Sequence, residues 1–236
     1  MVWMASSASA DIRFVASGHL GAAFANDLTL DFNPNSVVRT GFLPPLIPVS
    51  ANPIGQSQPG YSIGGSIGAQ FGNWIRWDVF DLSQIGTTQN FVSPGASPNR
   101  EFSVNASMLV YGTSLRIGRF SPEARWRPFI SVGVGAANTQ LNTPPTPIIP
   151  FIATPTVTVE TFKGWGLEWD LGVGLEYPFS ERGAAALRFR YRQSDVTFRA
   201  SGQAPDADLN DVPAFLKQTK QIRVFTLSFE LSFIGP

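Results

Sequence analysis

Between Phe225 and Phe233 every odd position is large and apolar: Phe225, Leu227, Phe229, Leu231 and Phe233. The even positions are Thr226, Ser228, Glu230 and Ser232. Successive side chains of a strand point to opposite faces, so a period of two defines a β-strand with one apolar and one polar face. The same division recurs upstream. Trp165, Leu167, Trp169, Leu171, Val173, Leu175 and Tyr177 oppose Gly166, Glu168, Asp170, Gly172, Gly174 and Glu176. Leu187, Phe189 and Tyr191 oppose Arg188, Arg190 and Arg192, and Ile75, Trp77 and Val79 oppose Arg76 and Asp78. A chain of such strands must turn one kind of face inward, and which kind decides what it is.

Charged residues make up 14% of the 236 positions, against roughly 25% in ordinary soluble domains. No stretch approaches the ~20 consecutive apolar residues of a membrane helix. Two architectures remain: a compact soluble β-protein, or a membrane barrel whose apolar residues are diluted by alternation. Strand-like runs at 11–24, 61–71, 74–84, 103–117, 126–140, 162–178, 184–199 and 220–234 make eight strands. Connections at 72–73, 118–125 and 180–183 are short, whereas those at 25–60, 85–102, 141–161 and 201–219 are long and rich in turn formers. Short turns at one end and long loops at the other describe an up-and-down membrane barrel, with both termini at the short-turn, periplasmic end.

Volume then assigns the faces. An eight-stranded barrel has a bore just wide enough to be filled by side chains or one small ligand. Trp165, Trp169, Phe189, Phe225 and Phe229 do not fit it together, so the small and charged residues go inside and the aromatics face lipid. Trp74, Trp126, Tyr177 and Phe233 fall at the periplasmic rim, where amphipathic rings favour the interface. The fold class is therefore all-β, an eight-stranded antiparallel up-and-down transmembrane barrel over 11–236. Residues 1–10 end in Ala8-Ser9-Ala10, the pattern of a signal-peptidase site. They are expected to be the tail of an export signal or a disordered N-terminus.

Inward charges require partners. Pairing across the 180–183 turn sets Asp170 opposite Arg192, and Gly172 and Gly174 opposite Arg190 and Arg188. The glycines would leave room for the guanidinium groups, with Glu176 diagonal to Arg188 and Glu230 within reach from the last strand. We expect Arg76, Asp78, Glu168, Asp170, Glu176, Arg188, Arg190, Arg192 and Glu230 to form an ion-pair network filling the lumen.

The segments 68–78 (GAQFGNWIRWD), 127–137 (RPFISVGVGAA) and 189–192 (FRYR) resemble the second hairpin, fifth strand and seventh strand of the small eight-stranded outer-membrane barrels of Gram-negative bacteria. These are the opacity-protein-like and OmpA-type transmembrane domains among the porin-family barrels. The resemblance implies this same fold and a bacterial outer-membrane location, and identifies fold better than function. The family usually ends on an aromatic residue, whereas Ile234-Gly235-Pro236 follows Phe233 here.

Other chemistries find little support. Net charge is zero and there are no cysteines, so neither nucleic-acid capture nor a thiolate metal site is indicated. A Ser–His–acid arrangement needs a histidine beside the nucleophile; His19 is the only histidine and reads as a wall residue. Asp206, Asp208 and Asn210 have the spacing of a calcium loop, but Asp211 stands where the turn glycine belongs and Lys217 where the distal Glu belongs. No cofactor and no metal are expected. Segments 41–49 and 145–152 of the long loops are apolar, with Phe42, Leu43, Leu46, Ile47, Ile148, Ile149, Phe151 and Ile152. Exposed apolar patches of that kind usually mark binding, and packing on the barrel rim is the other reading. The sequence thus points to a monomeric, non-enzymatic outer-membrane barrel with a charge-plugged lumen. Its role would be structural or one of adhesion and partner binding at the cell surface through the loops. The alternative is a narrow pore or a lateral conduit for small or hydrophobic molecules.

Overall fold

The computed structural model describes residues 12–29, 37–39, 54–93, 100–121, 123–142, 158–205 and 211–235. In chain order the strands are β1 (Ile12–Ala25), β2 (Leu28–Thr29), β3 (Val37–Arg39), β4 (Ile54–Phe71) and β5 (Ile75–Ser93). They continue as β6 (Arg100–Gly118), β7 (Arg127–Asn142), β8 (Thr158–Pro178), β9 (Gly183–Pro205) and β10 (Asp211–Ile234). The eight long strands pair antiparallel with their chain neighbours, and β1 pairs with both β4 and β10, which closes the barrel. The short β2 and β3 add to β4 and β10 beyond the closed wall. Residues 1–10 and the apolar loop residues 42–47 and 148–152 lie outside the described residues, as do Asp206, Asp208 and Asn210.

Alternation carries through to exposure. On β10, residues 222–234 alternate buried and exposed without a break, and Phe225, Leu227, Phe229, Leu231 and Phe233 all point outward. The outward row of β8 runs from Tyr177 to Trp165. At about 3.3 Å per residue and a tilt of about 40° it rises roughly 30 Å, the thickness of a bilayer core. Trp74, Trp126, Tyr177 and Phe233 are exposed at the turn end, where the Trp126 and Tyr177 rings sit 5.2 Å apart. An outer wall this apolar is excluded from water, and the protein is a closed, eight-stranded transmembrane β-barrel.

The turn at 72–74 uses Gly72 at φ 57°, a left-handed conformation that glycine adopts without strain, and its carbonyl accepts from Gln70 Nε2 at 2.9 Å.

Three features depart from the sequence reading. First, the strands run past the expected ends: β5 continues to Ser93, and β9 and β10 extend to Pro205 and from Asp211. A hairpin ladder keeps satisfying backbone groups beyond the membrane, so turn-forming composition alone does not end it. Second, β5 carries a bulge. Asp78 pairs with Ser114 and Asp81 with Gly112, so Val79 and Phe80 together oppose Thr113. Both face outward, and Asp78 and Asp81 are both buried although three positions apart. Thr113 fastens the bulge, accepting from Trp77 Nε1 at 2.7 Å and donating to the Asp78 carbonyl at 2.8 Å. The extra residue reverses the phase of β5, so Asp81, Ser83 and Ile85 point inward after it.

Third, not every aromatic goes out. Phe162 and Phe198 are buried at the loop end, packed with Ile85, Leu141, Ile222, Val224 and other apolar residues. Phe120 and Phe129 are buried at the turn end with Ala186. The volume argument holds for the middle of the barrel, where arginines occupy the bore, and fails at its mouths, where apolar residues fill the loop end and Phe120 and Phe129 lie against Arg76 and Arg116 at the turn end.

The facing assignment predicts a depth-dependent penalty. Phe229→Arg, at the middle of the lipid-facing row, should destabilise the barrel by about 2–4 kcal/mol, and Thr219→Arg beyond that row by about 0–1 kcal/mol. Urea-induced unfolding from lipid vesicles measures both; equal penalties would contradict the assignment.

Candidate functional site: a layered lumen

Six arginines (Arg76, Arg116, Arg127, Arg188, Arg190, Arg192) and six carboxylates (Asp78, Asp81, Glu168, Asp170, Glu176, Glu230) are buried inside the barrel among the described residues. They are arranged in tiers. Nearest the turns, Glu176 accepts from Arg76 at 2.9 Å and from Arg127 at 3.1 Å. Above it, Arg116 bridges Asp78 at 2.7 Å and Glu230 at 2.5 Å, and Arg188 lies 3.9 Å from Glu230. Next, Arg190 joins Asp81 at 2.9 Å and Asp170 at 3.6 Å. Arg192 then meets Glu168 at 3.4 Å and donates to Ser83 at 3.0 Å. In so little water each of these charges depends on its neighbours.

All nine residues singled out in the sequence lie in this cluster. The pairing of β8 with β9 sets Asp170 opposite Arg192, Gly172 opposite Arg190 and Gly174 opposite Arg188. Register does not dictate partners, however. Asp170 pairs with Arg190 instead of Arg192, and Glu176 bonds its register partner Arg127 on β7 and reaches across to Arg76 instead of Arg188. Long side chains lean along the barrel axis, so a bonded partner need not be the directly paired residue. The glycines also serve differently from expectation. A Cβ on Gly172 would come within 2.6 Å of Ser131 Oγ and 3.5 Å of Arg188 Nε, whereas the space beside Gly174 holds the Phe129 ring. Gly133 on β7 leaves room for the Asp170 carboxylate.

Sequence reasoning missed Arg116, Arg127 and Asp81. Arg116 and Arg127 stand at inward positions of β6 and β7, and were legible from the flanking Leu115, Ile117 and Pro128. Asp81 was hidden by the bulge.

Above the ion pairs the lumen turns apolar. The cluster of Ile85, Met108, Leu141, Phe162, Phe198 and Ile222 spans the bore, and Leu28 joins it from the loop side, just past Asn26 at the end of β1. The chain there is fixed by mutual bonds, Asn26 N–H to the Arg223 carbonyl and Arg223 N–H to Asn26 Oδ1. The void left between these residues is about 20 Å³, room for little more than one water. At the turn end Phe120 stacks under Arg76 at 4.6 Å and Phe129 under Arg116 at 5.4 Å, contacts of the cation–π type.

His19 also faces the lumen, with Nε2 3.3 Å from Ser83 Oγ. The Ser83 hydroxyl donates to Asp81 at 3.2 Å and is capped by Arg192. A nucleophile needs its proton drawn by the histidine and an acid orienting that histidine. Here the acid takes the serine proton, so the three residues hold one another in place as part of the wall.

No family model matches the chain, and no curated protein matches it. Solved structures similar to it include Neisserial surface protein A, at 10% identity over 94% of this chain and 96% of that one, with a TM-score of 0.44. Others are Ail, the attachment invasion locus protein of Yersinia pestis (9%, 93% and 97%, TM-score 0.36), and the translocator domain of the autotransporter NalP from Neisseria meningitidis (9%, 94% and 87%, TM-score 0.28). Likenesses this remote define nothing beyond themselves; the class of the protein follows from its own wall and lumen.

The tiered pairing makes a specific prediction. Glu176→Gln strips Arg76 and Arg127 of their shared carboxylate and should cost about 3–5 kcal/mol. Ser194→Ala, inside the same bore but outside the ion pairs, should cost less than about 1 kcal/mol. Comparable losses in urea titrations of the two variants would mean the pairing carries no special weight.

Proposed function

We propose that this protein is a bacterial outer-membrane barrel with a closed lumen that acts at the cell surface through its loop end, as a structural or adhesive element. The observation that carries the reading is the double filling of the bore. Balanced ion pairs occupy the turn half and packed apolar side chains the loop half. A conducting path needs a continuous water-filled channel, whereas the loop half is packed down to a void of about 20 Å³, with Thr87, Gln89 and Thr139 the buried polar side chains beside it. A lateral conduit needs a gap in the wall, whereas β1 pairs with β10 over residues 15–25 and with β4 over residues 12–23. Orientation follows from the unequal connections, short turns toward the periplasm and long loops outward, with both termini periplasmic.

With the wall in lipid and the bore filled, the loops are the part left to meet a partner. Their apolar stretches, Phe42, Leu43, Leu46 and Ile47 in one and Ile148, Ile149, Phe151 and Ile152 in another, are suited to a protein or host surface. The arrangement of His19, Ser83 and Asp81 supports a non-catalytic role, since their contacts restrain the serine instead of activating it. The lumen ion pairs are in this reading a structural plug, and the barrel functions as a monomer.

Two experiments test the proposal. Reconstituted in planar bilayers, the protein should give no steady open current, and a large sustained conductance would establish the pore reading. Removing 41–49 and 145–152 together should abolish adhesion of expressing cells to host surfaces while leaving the folded barrel intact. Unchanged adhesion would take the role away from those loops.

A further inference from the structure

The outward face of β8 changes character along its length. At the loop end Lys163 is exposed, and the register sets it directly opposite Arg199 of β9, which is exposed too. The row continues in register to Lys217 of β10. Like charges directly across a ladder repel. Among the described residues no carboxylate pairs with Lys163 or Arg199. Asp195, on the same face of β9, lies two outward positions further in and is engaged by Gln221 at 3.3 Å.

Immediately below this cationic pair, Trp165, Leu167 and Trp169 form an apolar ridge bordered by polar residues along β9 and by Ala136 and Val134 on β7. Asn138 and Thr197 pair beside Trp165, Asp195 beside Leu167 and Gln193 beside Trp169. Leu167 is 83% exposed, more than any other large hydrophobic residue described. Further along the same face Leu171 and Val173, with Ile130, Val132, Phe189 and Leu115, border an apolar groove of about 460 Å³. That lies within the ~300–1,000 Å³ of small-molecule sites.

Cations, ridge and groove follow one another in the order of an amphiphile's headgroup and chains. Arg and Lys side chains suit a phosphate by charge and hydrogen bonding, and a groove inside the lipid-facing belt is filled by hydrocarbon. We propose that this face of β8 binds one phosphorylated, multi-chain lipid of the leaflet at the loop end. Its phosphate is held between Lys163 and Arg199, and its chains run over Leu167 into the groove. That the leaflet is the outer one rests on the orientation proposed above; the site itself does not.

Native mass spectrometry of the full chain folded in neutral detergent, with dioleoyl phosphatidic acid as the probe, tests the site. The barrel should keep one phosphatidic acid through detergent exchange and bind phosphatidylcholine weakly. The double variant K163A/R199A, whose side chains hold nothing else in the described wall, should weaken phosphatidic acid binding at least about tenfold. Val132→Trp, which fills the groove, should weaken it while leaving the cations in place. Folding of each variant is read independently from the heat-dependent shift of the barrel on gels. Equal binding by wild type and K163A/R199A would overturn the proposal. So would full competition by inorganic phosphate, which marks a plain anion site, or a dimer that Val132→Trp abolishes, which marks the groove as a contact between copies. Lipid binding and bilayer conductance are separate readouts, so failure here leaves the closed-lumen reading standing, and a conducting lumen leaves this site standing.

Discussion

In hydrocarbon a sheet can have no edge, and everything else in this barrel follows from that. Every backbone N–H and C=O inside the membrane must be paired within the protein, so β1 has to find both β4 and β10 although the latter lies at the opposite end of the chain. Closing with eight strands fixes the bore at a width that side chains fill. Once the bore is that narrow, inward charges can exist only as a balanced set. Six arginines against six carboxylates is the composition such a space permits.

The ion pairs also tie together strands that the backbone ladder does not. Arg116 on β6 meets Glu230 on β10, and Arg76 on β5 meets Glu176 on β8. Each contact spans the bore instead of following the wall. A buried pair of this kind adds little net stability over a well-packed apolar replacement. It does penalise a slipped register, because moving any of β5 to β10 by one residue would turn its lumen charges into lipid. The closed wall sets the geometry, and the cross-bore pairs make one register of that wall the favoured one.

This logic explains how much could be read from sequence. Strand number, inside and outside, and the partners across the 180–183 turn were legible because a period of two survives translation into structure without adjustment. Where it failed, it failed locally. The bulge at Val79 and Phe80 breaks the period with two apolar residues, either of which reads as a good strand residue, and Asp81 was lost with the phase. Pairings such as Arg76 with Glu176 depend on side-chain lean and on which strands face each other across the bore, and neither is written in local alternation. The inward Phe162 and Phe198 were lost for a different reason. Volume was reasoned for the barrel as a whole, whereas it is allotted tier by tier.

The tiers have a consequence for what the molecule has left to work with. Charges in the turn half are engaged with one another, and the loop half is packed mostly with apolar side chains, so a bore closed as proposed leaves a solute little room. His19, which could have been reactive elsewhere, is bonded to Ser83, and Ser83 is engaged by Asp81 and Arg192. Polar groups without an internal obligation, such as Lys163 and Arg199, sit on the outer wall just above the apolar belt. A bore closed as proposed therefore leaves binding to the rim and the lipid-facing wall, where side chains can change without disturbing the pairs that hold the register.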